Sequence, residues 1–201
     1  MTTILGYQGD NYALICSDSR ISSMDSSGFT SQISTFGAAK VALNGHYLLG
    51  AAGDVRAINI LHHVFTPPPP PKSARGNKLD KFITNTFIPA LRTCFETSGY
   101  ASPTNTESLH LAEQGSTILV AVNGAIYIID GDYSWASDTN GLYALGTGAE
   151  YALGAMQALD KTRKLQVAAA KGILLKSITI AAKFDPHTGS PFHSFVQVGP
   201  T

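Results

Sequence analysis

The chain has 201 residues, 44% of them hydrophobic and 14% charged, which suits one well-buried domain. Its 14 Lys and Arg balance 14 Asp and Glu, so no long-range field favours nucleic acid or an anionic membrane as partner. No apolar run approaches the roughly 20 residues that span a bilayer, and the N-terminus lacks the basic start and apolar core of a signal peptide, so a soluble, cytoplasmic protein with Cys16 and Cys94 reduced is expected.

In chain order, TILGY (3–7) and YALICS (12–17) are β-rich runs around the turn-forming Gly9-Asp10-Asn11, which predicts a hairpin. Residues 19–40 are rich in Ser and Gly and predict a loop or an edge hairpin. KVAL and HYLLGA flank Asn44-Gly45, a second hairpin. Asp54 is placed to cap a helix through VRAINILHHVF, which Thr66 and the run Pro67 to Pro71 must end. A second helix is predicted from about Leu79 to Thr97, kinked by Pro89, with residues 67–78 as a Pro-rich surface loop. That loop could present a polyproline II segment to a partner, although a plain connection is the simpler reading.

The second half repeats the plan. STILVAV, Asn123-Gly124 and AIYIID form a hairpin, LYALGTG another strand, and AEYALGAMQAL a helix. A further helix is predicted from Thr162 to about Ala182, then a turn through Asp185-Pro186 and Gly189 into a last strand. Runs of strands followed by runs of helices predict an α+β domain spanning residues 1–201, with antiparallel sheets and helices on their outer faces.

Three residues near the start can carry chemistry together. Strand 12–17 returns beside strand 3–7, so Asp18 leaves the sheet where Thr2 enters it, and Lys40 begins the next strand from the same end. Each has a bland reading: Thr2 and Thr3 as strand formers, Asp18 as a turn residue, Lys40 as an edge lysine. Jointly, they place a carboxylate and an ammonium beside a residue that would own both a hydroxyl and a free α-amine once Met1 is removed. That amine starts near pKa 7.7 to 8.0, and a neighbouring cation lowers it into the range of a competent base. Other constellations are weaker. Cys16 sits in a strand as a core residue would, so Cys16 with His187 is a poor thiol site. His62 and His63 lack ligand-spaced partners, and GTGAEYALG lacks the lysine of a phosphate loop, so neither metal nor cofactor is implied.

TTILGYQGDNYALICSDSR resembles the opening of proteasome β subunits and of the bacterial HslV-type peptidase, which belong to the N-terminal-nucleophile hydrolases. Asp18 lies sixteen positions after Thr2, as in that family. AAKVAL resembles the strand with the family's lysine at Lys40, after a longer loop. LLGAAGD resembles the turn whose Gly53 N–H would meet the oxyanion. LYALGTGAEYALG and KFDPHTGSP resemble the stretches that steady the terminal amine, with Thr147 and Thr188 standing where serines are usual and Asp185 kept. The resemblance implies a four-layer α-β-β-α sandwich (the N-terminal-nucleophile hydrolase fold), a threonine endopeptidase acting on peptides or unfolded proteins, homo-oligomeric rings or stacked rings, and service by an ATP-dependent unfoldase. It also implies a substrate edge at Ser22, with Ile21, Ala51 and Val55 near the pocket for the residue before the cut bond; core packing is the competing reading for these. A non-catalytic assembly subunit that retains Met1, and an amidohydrolase of the same superfamily, are the alternatives.

Overall fold

The computed structural model describes residues 2–24, 30–100, 115–160 and 165–199. The central strands of the sheets are apolar on both faces, and this dictates the layers. In β1 (Thr3–Gln8) and β2 (Tyr12–Ser17), Leu5, Tyr7, Tyr12, Leu14 and Cys16 face one way, while Ile4, Ala13 and Ile15 face the other. A strand buried on both sides needs a partner layer on each.

The first partner is a helix pair, α4 (Ala149–Leu159) and α5 (Val167–Phe184), which sets Ala152, Met156, Ala170, Leu174 and Ile178 against the first set. The second is another sheet. It holds β5 (Val41–Asn44), β6 (Tyr47–Ala52), β7 (Thr117–Val122), β8 (Ala125–Ile129) and the short β9 (Trp135–Ala136), in that order. The first sheet has the order β10-β1-β2-β11, with β10 at Leu142–Gly146 and β11 at His193–Val198. Between the sheets lie Ile4, Ile15, Val41, Leu48, Leu119 and Tyr143. The far face of the second sheet, with Tyr47, Leu49, Ile118 and Val120, is covered by α1 (Val55–His63), α2 (Asn77–Phe82) and α3 (Ile88–Thr97). Four layers result, α-β-β-α, as the resemblance implied, and every strand pairing is antiparallel.

Several elements differ from the sequence expectation. The Ser-rich stretch forms its own two-stranded ribbon, β3 (Arg20–Met24) with β4 (Thr30–Thr35), outside both sheets. The helix before Pro89 widens into a π-turn at Ile83–Phe87, which accommodates the amide hydrogen that proline lacks. The helix expected from Thr162 begins at Val167 after an extended Gln166 and runs on to Phe184; residues 161–164 lie outside the described set. Asp54 precedes α1 but its side chain makes no cap. Its carboxylate instead accepts a hydrogen bond from Tyr100. The Pro-rich loop ends two residues earlier than expected, since α2 starts at Asn77, and it is strapped to the body. Tyr47 donates to the Pro68 carbonyl at 2.7 Å, and Asn123 donates to those of Pro71 and Ala74. No helix of the described residues is long and apolar enough to cross a membrane.

Candidate active site

Register brings five strand ends to one rim of the sandwich. Thr3 pairs with Gly146, Ile4 with Ser17, and Ala52 with Thr117, so the starts of β1 and β7 meet the ends of β2, β6 and β10. There a cleft of about 390 Å³ is lined by Thr2, Ala52, Gly53, Thr117, Gly146 and Thr147. The chain passes closely: the Thr147 N–H donates to the Thr2 carbonyl at 3.1 Å, and a Cβ at Gly146 would lie 1.7 Å from that oxygen. Only glycine fits at 146, where φ is also +91°.

Beneath Thr2, the Asp18 carboxylate is wholly buried and accepts four hydrogen bonds. Thr3 N–H and Lys40 Nζ reach Oδ1 at 3.0 and 2.6 Å; Arg20 N–H and Gly189 N–H reach Oδ2 at 3.0 and 3.1 Å. Both oxygens therefore act only as acceptors. Lys40, 1% exposed, also donates to the Arg20 carbonyl at 2.5 Å. Burial pushes the Lys40 ammonium below its ordinary pKa, and the charge and hydrogen bond of Asp18 work against that fall. The Asp-Ser-Arg triplet thus holds the lysine twice, by a side chain and by a backbone carbonyl. The Arg20 guanidinium extends onward to the Pro186 carbonyl at 2.6 Å, clamping the loop that carries Asp185 and Thr188.

On the other side, donor counting fixes a chain of hydroxyls. Asp185 Oδ2 accepts from Thr147 Oγ1 at 2.8 Å and from Thr188 Oγ1 at 2.5 Å. Thr188 has spent its proton, so its 2.6 Å contact with Thr3 Oγ1 must be donated by Thr3, which in turn accepts from Gly148 N–H at 3.1 Å. Thr147 and Thr188 thus both turn their hydroxyls onto Asp185. Asp185 Oδ1 accepts the His187 N–H at 3.0 Å.

Among the expected substrate residues, Ser22 is buried with its hydroxyl 2.8 Å from His187 Nδ1, Ile21 is partly exposed beside it, and Val55 opens α1 next to the cleft rim. Ala51 is fully buried in the core under α1, and Ala52 lines the cleft instead, because alternate residues of β6 face opposite layers. Cys16 faces the core of α4 and α5, where burial pushes its thiol up to about 12, and His187 is engaged by Ser22. Among the described residues no group of three His, Cys, Asp or Glu could hold a metal ion. Thr3, Thr117 and Arg20 were not singled out as site residues, though the doubled Thr2-Thr3 was a signal for the first.

No family model matches the sequence, and no curated protein matches it. Solved structures do. BPH of Thiobacillus denitrificans, in a complex with epoxomicin, superposes with a TM-score of 0.71 at 19% identity, covering 98% of this chain and 100% of that one. A second structure of Thiobacillus denitrificans BPH gives 0.70 at 20% identity, covering 99% and 100%. HslV from Trypanosoma brucei gives 0.61 at 19% identity, covering 96% and 98%. End to end, the chain therefore has the fold of these HslV- and proteasome-type structures.

Proposed function

We propose that the chain is a threonine endopeptidase in which Thr2, exposed by removal of Met1, is the nucleophile. One observation carries this reading: Thr2 shares a single cleft with Gly53 and Thr147, while its neighbour Thr3 is bonded both to the Asp18–Lys40 pair and to the Asp185 hydroxyl chain. In this mechanism the Thr2 α-amine takes the proton of Oγ as Oγ attacks the peptide carbonyl. Lys40, held charged by Asp18, lowers the proton affinity of that amine, and Asp185, Thr147 and Thr188 hold it in place. The Gly53 N–H donates to the oxyanion. The C–N bond then breaks, the ammonium of Thr2 passes its proton to the leaving amine, and water hydrolyses the remaining ester.

The same reading assigns the chain to a homo-oligomeric ring or stacked rings, fed with unfolded protein by an ATP-dependent unfoldase in the cytoplasm. It rests there on the likeness to HslV. Ile21, Ser22 and Val55 remain the proposed substrate edge.

The test is intact mass followed by hydrolysis of fluorogenic peptides. Chain lacking Met1 is expected to cleave them, Thr2→Ala to cleave at least roughly a thousandfold more slowly, and epoxomicin, found in complex with Thiobacillus denitrificans BPH, to suppress cleavage. Assembled particles that keep Met1 would make this a non-catalytic shell subunit instead, and undiminished cleavage by Thr2→Ala would remove Thr2 from the mechanism.

A further inference from the structure

Gly53 occupies backbone space that other residues rarely enter, at φ +135°. Glycine is also the residue with the most conformational freedom, so a donor built on it must be held by something else. On its N-terminal side the strand does this, because Ala52 pairs with Thr117. On its C-terminal side no regular element does, since α1 starts only at Val55 and its cap position makes no side-chain cap.

Three side chains outside the site described above close that gap. The Asp54 N–H, which belongs to the peptide linking Gly53 to Asp54, donates to Ser116 Oγ at 3.0 Å. Ser116 Oγ lies 2.8 Å from Tyr100 Oη, and Tyr100 Oη lies 3.2 Å from Asp54 Oδ2. A carboxylate can only accept, so the Tyr100 proton goes to Asp54 and the Ser116 proton goes to Tyr100. The result is a closed ring: Asp54 N–H to Ser116, Ser116 to Tyr100, Tyr100 back to the Asp54 carboxylate. The fit against the glycine is equally close, for a Cβ at Gly53 would stand 2.5 Å from Ser116 Oγ and 2.7 Å from the Gly115 carbonyl.

We infer that Ser116 and Tyr100 are positioning residues for the oxyanion donor, locking the Gly53–Asp54 peptide so that the Gly53 N–H keeps one orientation in the cleft. This rests on the peptidase reading and deepens it. Burial, the largest influence on the Tyr100 phenol, raises its pKa, so it stays a donor through the neutral range. Neither residue lines the cleft. Their removal loosens a donor that acts on the transition state and leaves ground-state contacts alone.

The experiment uses processed, assembled enzyme and two readouts, peptide hydrolysis and inhibition by a peptide aldehyde. Thr2 Oγ adds to the aldehyde carbon and gives its proton to the Thr2 α-amine, the carbonyl π pair moves to oxygen, and that hemiacetal oxygen occupies the oxyanion position. Ser116→Ala and Tyr100→Phe are each expected to lower kcat about tenfold, less than outright loss of a donor would, with KM within roughly twofold. Aldehyde affinity should weaken in parallel with kcat/KM. Ser116→Thr, which keeps the hydroxyl, should restore both, and the double variant should lose no more than Ser116→Ala alone, since both residues act through one ring. A merely structural role would shift the melting midpoint without this kcat, KM and aldehyde pattern. Thr2→Ala run beside them separates the outcomes: if it abolishes cleavage while both variants keep kcat and aldehyde affinity within roughly twofold, the peptidase reading stands and this inference is overturned. If Ser116→Ala does not fold, Tyr100→Phe decides alone.

Discussion

Two buried aspartates flank the N-terminal threonines, and they are wired differently. Asp18 receives three backbone N–H groups and one ammonium, two donors on each oxygen. Asp185 receives two threonine hydroxyls on one oxygen and one backbone N–H on the other. Every partner of Asp18 can only donate, whereas both hydroxyls on Asp185 can also accept. The first site is therefore rigid in its polarity and the second can reverse. The difference matches the roles proposed for them: one fixes a charge below the nucleophile, the other steadies an amine that must alternate between neutral and charged forms.

The sharpest way to break the comparison is the same isosteric change at both positions. With Asp18→Asn, either placement of the new NH₂ faces two donors, and Lys40 loses its counter-charge in a site 1% exposed. A loss of about 3 to 5 kcal/mol is expected, the range for breaking a buried ion pair. With Asp185→Asn, the hydroxyls of Thr147 and Thr188 turn round to accept, and the loss should stay near about 1 kcal/mol. Urea denaturation of both variants reads the difference. Equal losses would show that polarity reversal is not what distinguishes the two sites.

These wirings differed in how far the sequence displayed them. The Asp18 side was legible because a short hairpin brings residue 18 back beside residue 3, and Lys40 opens the next strand at the same rim. Asn44-Gly45 and Asn123-Gly124 announced their hairpins for the same local reason, turn chemistry. The Asp185 side needed a resemblance, since the contact of Thr3 with Thr188 joins residues 185 positions apart and depends on how α5 packs on the first sheet. Two features gave no usable signal. Arg20 positions Lys40 through its carbonyl, which every residue owns. Asp54 had the type and place of a helix cap, yet Tyr100, 46 residues away, takes its carboxylate, so a tertiary partner won over a local one.

Smaller effects sharpen the hydroxyl side. Thr188→Val keeps the shape but removes the central link, leaving the Thr3 hydroxyl without its acceptor and Asp185 Oδ2 with one donor in place of two. About 1 to 2 kcal/mol of stability should be lost, as for other buried groups left unpaired. Thr188→Ser retains the link and loses only one buried methyl group, which should cost about 0.8 kcal/mol or less. A thermal melt of the pair decides whether the hydroxyl or the methyl group matters. If both variants melt alike, the hydrogen-bond chain contributes nothing measurable to folding.

The smallest expected effect concerns protons, and here again the two aspartates part. Burial lowers the pKa of Lys40 in the folded chain below the value of about 10.4 that it has when unfolded. Between those two values the unfolded state binds the extra proton, so the free energy of unfolding rises with pH across that window and is flat below it. Lys40→Met removes this group, so the stability of the natural chain relative to that variant should climb as pH is raised toward 10.4, by a fraction of the about 1.4 kcal/mol per pH unit that one proton can supply. The partners of Asp185 are hydroxyls and a peptide N–H, which do not titrate there, so Thr188→Ser should show no such slope relative to the natural chain. Denaturant titrations at constant ionic strength from neutral pH to pH 10.4 test both statements at once. A relative stability that falls with pH at Lys40 would mean that attraction to Asp18 outweighs burial, and the lysine would then be a firmer cation than the ordinary side chain.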